Sequence, residues 1–125
     1  MIFKLRTSKK TQEIFDDIQN SQSLAPYILS KLAISLSLRQ STPISDSELS
    51  SDNNGIELNR QTITGEYDML YKALITINEG KHISEEEFFP KYIKAHLDRG
   101  AILLENEFRY GGKFIDHLAN LDKSI

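Results

Sequence analysis

The stretch YILSKLAISLSL, residues 27–38, has no polar face. A surface helix keeps its apolar residues on one stripe. Here Ala25, Ile28, Leu29, Leu32, Ala33 and Leu36 form a wide stripe, while Tyr27, Ile34 and Leu38 fall outside it with small serines between. Such a helix must be covered on more than one side. At 125 residues and 14.3 kDa the chain has room for one domain, so the simplest second cover is another copy of the protein. The expectation is a homo-oligomer with this helix at its centre. Hydrophobic residues at 39% and a mean hydropathy of -0.39 point the same way, toward a thin core that a partner chain completes.

Upstream, IFKLRT (residues 2–7) alternates apolar and basic side chains, the period of a short half-buried strand with Phe3 and Leu5 inward and Lys4 and Arg6 outward. Ser8 can cap a helix that lines up Thr11, Ile14, Phe15 and Ile18. Ser23 and Pro26 make an acceptable entrance to the apolar helix, whose first free N–H groups are able to take a phosphate. Residues 1–39 therefore read as strand, helix, turn and helix. That order matches ribbon-helix-helix proteins, in which two chains pair their strands into a ribbon that enters the major groove.

Downstream, QSTPISDSELSSDNNG (residues 40–55) is serine-rich and acidic and reads as a long mobile loop. IELNRQTIT, residues 56–64, suits a short strand or an extended arm. Tyr67, Leu70, Tyr71, Leu74 and Ile77 recur at helical spacing up to Gly80, a helix stop. SEEEFFPKYIKAHLDRG opens with the capping pair Ser84 and Glu87, is kinked or begun at Pro90, and is expected to end at Gly100. Phe114, Ile115, Leu118 and Leu121 form the inward face of a last short helix. The whole is a mainly α fold: a ribbon-helix-helix-like unit (1–39), a flexible acidic loop (40–55) and a helical remainder (56–125) with three further helices, in a single domain spanning 1–125.

Charge is segregated. The net charge is -3, yet residues 1–10 hold Lys4, Arg6, Lys9 and Lys10 without an acid, and residues 44–57 hold Asp46, Glu48, Asp52 and Glu57 without a base. Paired strands would project Lys4 and Arg6 together, with Lys9 and Lys10 flanking them, as a surface for DNA phosphates. Lys91 with Lys94, and Arg109 with Lys113, are candidates to extend it. The plainer alternative is a solvated cationic face.

Chemistry is harder to assemble. His96 and Asp98, two residues apart, point to different sides of a helix, and Arg99 opposes protonation of the imidazole, so His96 reads as a packed histidine. His82, His96 and His117 share no ligand spacing, and the acids Glu85, Glu86 and Glu87 fit a helix start, which leaves no metal or cofactor site. RYGGKF, residues 109–114, is a turn or at most an anion nest. With no cysteine the chain offers no disulfide, thiolate or cluster ligand. No segment approaches the roughly 20 apolar residues of a membrane span and MIFKLRTSKK lacks a signal core, so the expected location is the cytoplasm.

Four pieces, FKLRTSKKTQE (3–13), the apolar helix, NNGIELNRQTITGEYDMLYKALI (53–75) and KAHLDRGAILL (94–104), resemble in order and spacing the DndE family of the bacterial DNA phosphorothioation system. ENEFRYGGKFIDHLANLDKSI, residues 105–125, lies beyond the resemblance. The resemblance implies a tetramer that binds duplex or nicked DNA beside the other modification subunits, without doing the sulfur chemistry itself. The HLDRG segment, His96 to Gly100, carries over without a catalytic role. Three other readings stand beside it. A ribbon-helix-helix repressor or antitoxin would favour a palindromic operator, a nuclease would need metal ligands or a poised base, and a protein-binding scaffold would shift no DNA.

Overall fold

The computed structural model describes residues 2–110 of the chain. The last expected helix, with Phe114, Ile115, Leu118 and Leu121, lies outside them. The strand-helix-helix order appears as β1 (Lys4–Arg6), α1 (Lys9–Gln22) and α2 (Pro26–Leu38). Ser8 caps α1 by accepting from the Thr11 N–H, and Thr11, Ile14, Phe15 and Ile18 are buried as their spacing requires. Ser23 closes α1 in the left-handed region (φ 57°), and the residue before α2 that acts as its cap is Ala25.

The partner of β1 differs from the expectation. It pairs antiparallel with β2 (Glu57–Asn59) of the same chain, Leu5 opposite Leu58. Gly55 explains why. A Cβ there would lie 2.1 Å from Thr7 Oγ1 and 2.2 Å from Ser8 O, so only a bare Cα lets this segment run beside the N-terminus. The Gly55 N–H then donates to Thr7 O (2.8 Å) and the Thr7 N–H to Ile56 O (2.9 Å). Leu5 is buried, but Phe3, expected inward, is 64% exposed.

Residues 40–55 are not a structureless loop. They hold a helical turn, α3 (Asp46–Leu49), closed by a reciprocal cap between Ser45 and Glu48, and Ile44 is buried. After β2 come α4 (Arg60–Ile63), a 3₁₀ turn (Gly65–Tyr67) and α5 (Asp68–Glu79), which Gly80 ends at φ 70°. α6 (Glu85–Glu87), a π-helical stretch (Phe88–Ile93) and α7 (Lys94–Tyr110) then follow without a break. Pro90 has no N–H to give to an α-helical ladder, and the wider π turn takes it in without ending the helix.

Gly100 does not stop this helix. A Cβ at Gly100 would sit 1.7 Å from Ala33 O, so the glycine is where α7 crosses the backbone of α2. The second covered side of α2 is thus supplied by α7 of the same chain. Ala33, Ile34, Ser30 and Ser37 are buried, and the Ser30 hydroxyl donates to Pro26 O (2.8 Å), which satisfies it inside the helix pair. Phe15, Phe88, Phe89, Ile93 and Leu97 fill the core around the crossing. Each fully buried large side chain contributes roughly 1.5–3 kcal/mol. Among the described residues no helix is long and apolar enough to cross a membrane.

Because the neighbour at Gly100 is backbone, it cannot rotate away. Gly100→Ala is expected to lose about 3 kcal/mol or more in urea unfolding, despite the better helix propensity of alanine. Gly80→Ala, with open space around it but a left-handed φ, should lose about 1 kcal/mol.

Candidate nucleic-acid interface

β1 places Lys4 and Arg6 on its exposed side, opposite the buried Leu5. Both meet the acidic segment that the fold lays alongside. Lys4 Nζ is 3.6 Å from Glu57 Oε2, and Arg6 Nη1 donates to Gly55 O (2.9 Å). One turn on, the Lys9 backbone N–H donates to Asp52 Oδ1 (2.8 Å). The charge segregation of the sequence is therefore partly cancelled in space, since residues 52–57 run antiparallel to residues 4–9. The Lys9 and Asn54 N–H groups hold the Asp52 carboxyl below its ordinary range, so it stays ionised over the start of α1. From the inner side, the Asp98 side chain meets the same helix start by accepting from the Ser8 N–H (3.1 Å). The positive end of α1 already has two carboxylate partners.

What remains for an outside anion is the side chains. Lys9 and Lys10 are exposed, Lys9 Nζ reaching only Gln12 Oε1 at 3.4 Å. Lys10 Nζ lies 4.0 Å from Glu105 Oε2, and Arg109 Nη2 is 3.5 Å from the same oxygen. The fold thus brings Lys10 and Arg109 together from distant parts of the chain. The cations of these two pairs are exposed while Glu105 is mostly covered, and the contacts are long, so both cationic side chains keep room for a phosphate. Lys91 is exposed on the π-helical stretch.

Lys94 does not belong to this surface. It is 6% exposed, and its Nζ donates to Asp98 Oδ2 (2.7 Å) and Ser51 Oγ (2.6 Å). Asp98 Oδ1 also accepts from Thr11 Oγ1 (2.7 Å), so this buried pair ties α7 to α1 and to the end of the acidic segment. Lys113 lies outside the described residues. Arg60, which the sequence gave no reason to single out, is buried between the rings of Phe88 and Phe89 and clamped by Asp68 and Glu85. Only an aromatic pair preceded by acids, at residues 85–89, hinted at it, and its role is to hold the fold.

His96 is wholly buried. Arg99 Nε donates to Ser37 Oγ (2.8 Å), which frees the serine hydroxyl to donate to His96 Nδ1 (2.8 Å) and leaves the imidazole proton on Nε2. Nε2 faces Glu79 Oε2 at 3.3 Å without hydrogen-bond geometry, and the same oxygen accepts from the Ile44 N–H. Burial, and then the Arg99 guanidinium, push the His96 pKa down to about 3. Arg99 in turn donates to Ser37 O in the last turn of α2 and to Thr42 O in the segment that follows it. Serine, histidine and glutamate meet here in the interior, among groups that hold α2, α5 and α7 in place.

A protein-family model described as DNA sulphur modification protein DndE matches residues 4–110. No curated protein matches the chain. Among solved structures, the fold is similar to that of DndE from Escherichia coli B7A, involved in DNA phosphorothioation modification, at TM-score 0.64 and 17% identity, over 83% of this chain and 98% of that one. A DndE G21/24K mutant involved in DNA phosphorothioation is similar at TM-score 0.64 and 18% identity, over 85% and 99%.

The unfolded imidazole takes up a proton as the pH falls past 6.5, whereas the folded one resists until about 3. Between those values the unfolded chain binds more protons. The His96 contribution is therefore complete above pH 6.5 and is lost as the pH falls toward 3. His96→Gln should flatten the pH dependence of unfolding free energy in that window, measured by urea titration against the parent chain.

Proposed function

Since the chain belongs to the DndE family of DNA sulphur modification proteins, we propose that it is the non-catalytic, DNA-binding subunit of a phosphorothioation machinery. It binds duplex or nicked DNA through the phosphate backbone, in the cytoplasm and beside the other modification subunits. The observation that carries this reading is the meeting of Lys10 and Arg109 at Glu105 Oε2, with the exposed Lys9 next to Lys10 in the first turn of α1. Lys4, Arg6 and Lys91 extend it, and Lys113 continues the chain from Arg109. Contacts of this class read charge and spacing and have little sequence preference. The chemistry of sulfur transfer falls to other subunits, since a chain without cysteine cannot carry a persulfide. His96 and Asp98 are committed to the interior, which leaves them no route to a phosphodiester.

The subunit works as a homotetramer. With α2 covered by α7, the surface that supports this is on α5. Tyr67, Met69, Leu70, Leu74 and Ile77 are 58%, 85%, 56%, 42% and 77% exposed, and a cleft of about 330 Å³ runs from them to Ser35 and Leu38 of α2. That much apolar surface on one helix is the mark of a protein interface.

Two outcomes test these statements. With fluorescent random duplex, intact or nicked, affinity should fall steeply with salt, and Lys9→Glu with Lys10→Glu should weaken binding on the order of tenfold or more at low salt. Unchanged affinity removes both lysines from the site. Leu70→Asp with Ile77→Asp should reduce the assembly to smaller species in sedimentation while helical circular dichroism is kept. An unaltered mass places the interface elsewhere.

A further inference from the structure

The exposed row on α5 has an order that apolar character alone does not require. Tyr67, Leu70, Leu74 and Ile77 follow one another at spacings of three, four and three residues, which aligns them as one seam along the helix. All four are exposed, and Met69 stands beside them. The seam carries no charge. The three charged residues of α5 turn elsewhere, Asp68 to Arg60, Lys72 to Glu85 and Glu79 to His96. A seam of this kind fits a second helix with the same spacing and the same lack of charge, which α5 of another copy supplies.

The ends of α5 decide the direction. Glu66 is exposed just before the helix and Lys81 just after it, Lys81 Nζ lying over the Tyr92 ring at 5.5 Å from its centroid. Two copies laid parallel would set Glu66 against the partner's Glu66, Lys81 against the partner's Lys81, and the helix dipoles side by side in one sense. Laid antiparallel, each Glu66 lies at the end that carries the partner's Lys81, and the dipoles oppose.

We propose, on the reading that the subunit is a homotetramer, that two chains pair through α5 in antiparallel order about a two-fold axis. Leu70 then lies against the partner's Leu74, and Tyr67 against the partner's Ile77. By the two-fold each contact occurs twice, so no seam residue is left over. Beside the seam, the cleft bounded by Ser35 and Leu38 of α2 and by Tyr71 receives the flank of the partner helix. Such a contact is closed. It uses up α5 of both chains, and a tetramer joins two of these pairs through a different surface.

The chain has no cysteine, so introduced thiols report alone. Full-length Tyr67→Cys and Ile77→Cys, the second carrying a fusion tag that shifts its mass, are co-expressed so that assemblies contain both. They are treated with the short bifunctional reagent bismaleimidoethane and read by denaturing gel and peptide mass spectrometry. Both positions are exposed, so neither substitution touches the core. The expected product joins one variant to the other. Either variant alone should give no product, since like positions then stand about 15 Å apart along the helices. Links between two Tyr67→Cys chains, or between two Ile77→Cys chains, overturn the proposal, because they report a parallel or displaced pairing. Absence of any link in co-expressed assemblies that sediment with the tetramer mass overturns it too and leaves the homotetramer standing. A monomer mass for the parent chain removes the homotetramer and the pairing together.

Discussion

The fold depends on one backbone contact. Where α2 and α7 cross, the Cα of Gly100 lies against the carbonyl of Ala33, too close for any side chain. Each helix supplies the cover the other lacks, and the rest of the polar interior is positioned by that crossing. One residue before Gly100, Arg99 reaches Ser37 O in the last turn of α2, and one turn before, His96 meets the Ser37 hydroxyl. Asp98, on the other side of the same turn, accepts from Ser8, Thr11, Ser51 and Lys94. Four of the five residues from His96 to Gly100 thus fasten three parts of the chain, which is why a segment that looks like chemistry is architecture.

The same logic governs charge. Buried, the Lys94–Asp98 pair is strong because every oxygen and proton has a partner, and removing one member would leave the other uncompensated at a cost of about 3–5 kcal/mol. Exposed, the pair of Lys4 with Glu57 is weak and exchangeable, and Lys10 keeps its own end in solvent beside a covered Glu105. Lysines that look alike in the sequence therefore divide into those that hold the protein and those free to hold something else. Burial, which only the fold assigns, makes the division.

Much of the architecture was legible from local patterns. The α1 stripe, its Ser8 cap, the Gly80 stop and the Ser84 cap all follow from spacing and cap chemistry, and all are found. What was not legible depends on distant pairing. A glycine after a basic residue at the end of a helical run reads as a stop; at Gly100 it is a contact, and no residue near it in sequence names Ala33. Gly55 misled in the same way, as the end of a loop when it is the point at which β2 joins β1. The basic N-terminal patch was visible, but its acidic lining from Asp52 to Glu57 was not, because those residues are far away in sequence. Arg109 was grouped with Lys113 by proximity along the chain, whereas its neighbour in space is Lys10 through Glu105.

An apolar helix such as residues 27–38 carries the information that it is covered, not by what. The cheapest cover is within the chain, since it costs no loss of translational freedom, and α7 takes that place once a glycine admits it. The demand for a partner then moves outward, to the surfaces that no described element reaches. α5 exposes a row of large apolar side chains on a helix whose only buried member is Ile75, which is a poor bargain for a lone chain and a good one for an assembly. Ile102, 51% exposed on α7, presents the same problem on a smaller scale. Both exposures express one constraint, the scarcity of core in a chain of this size.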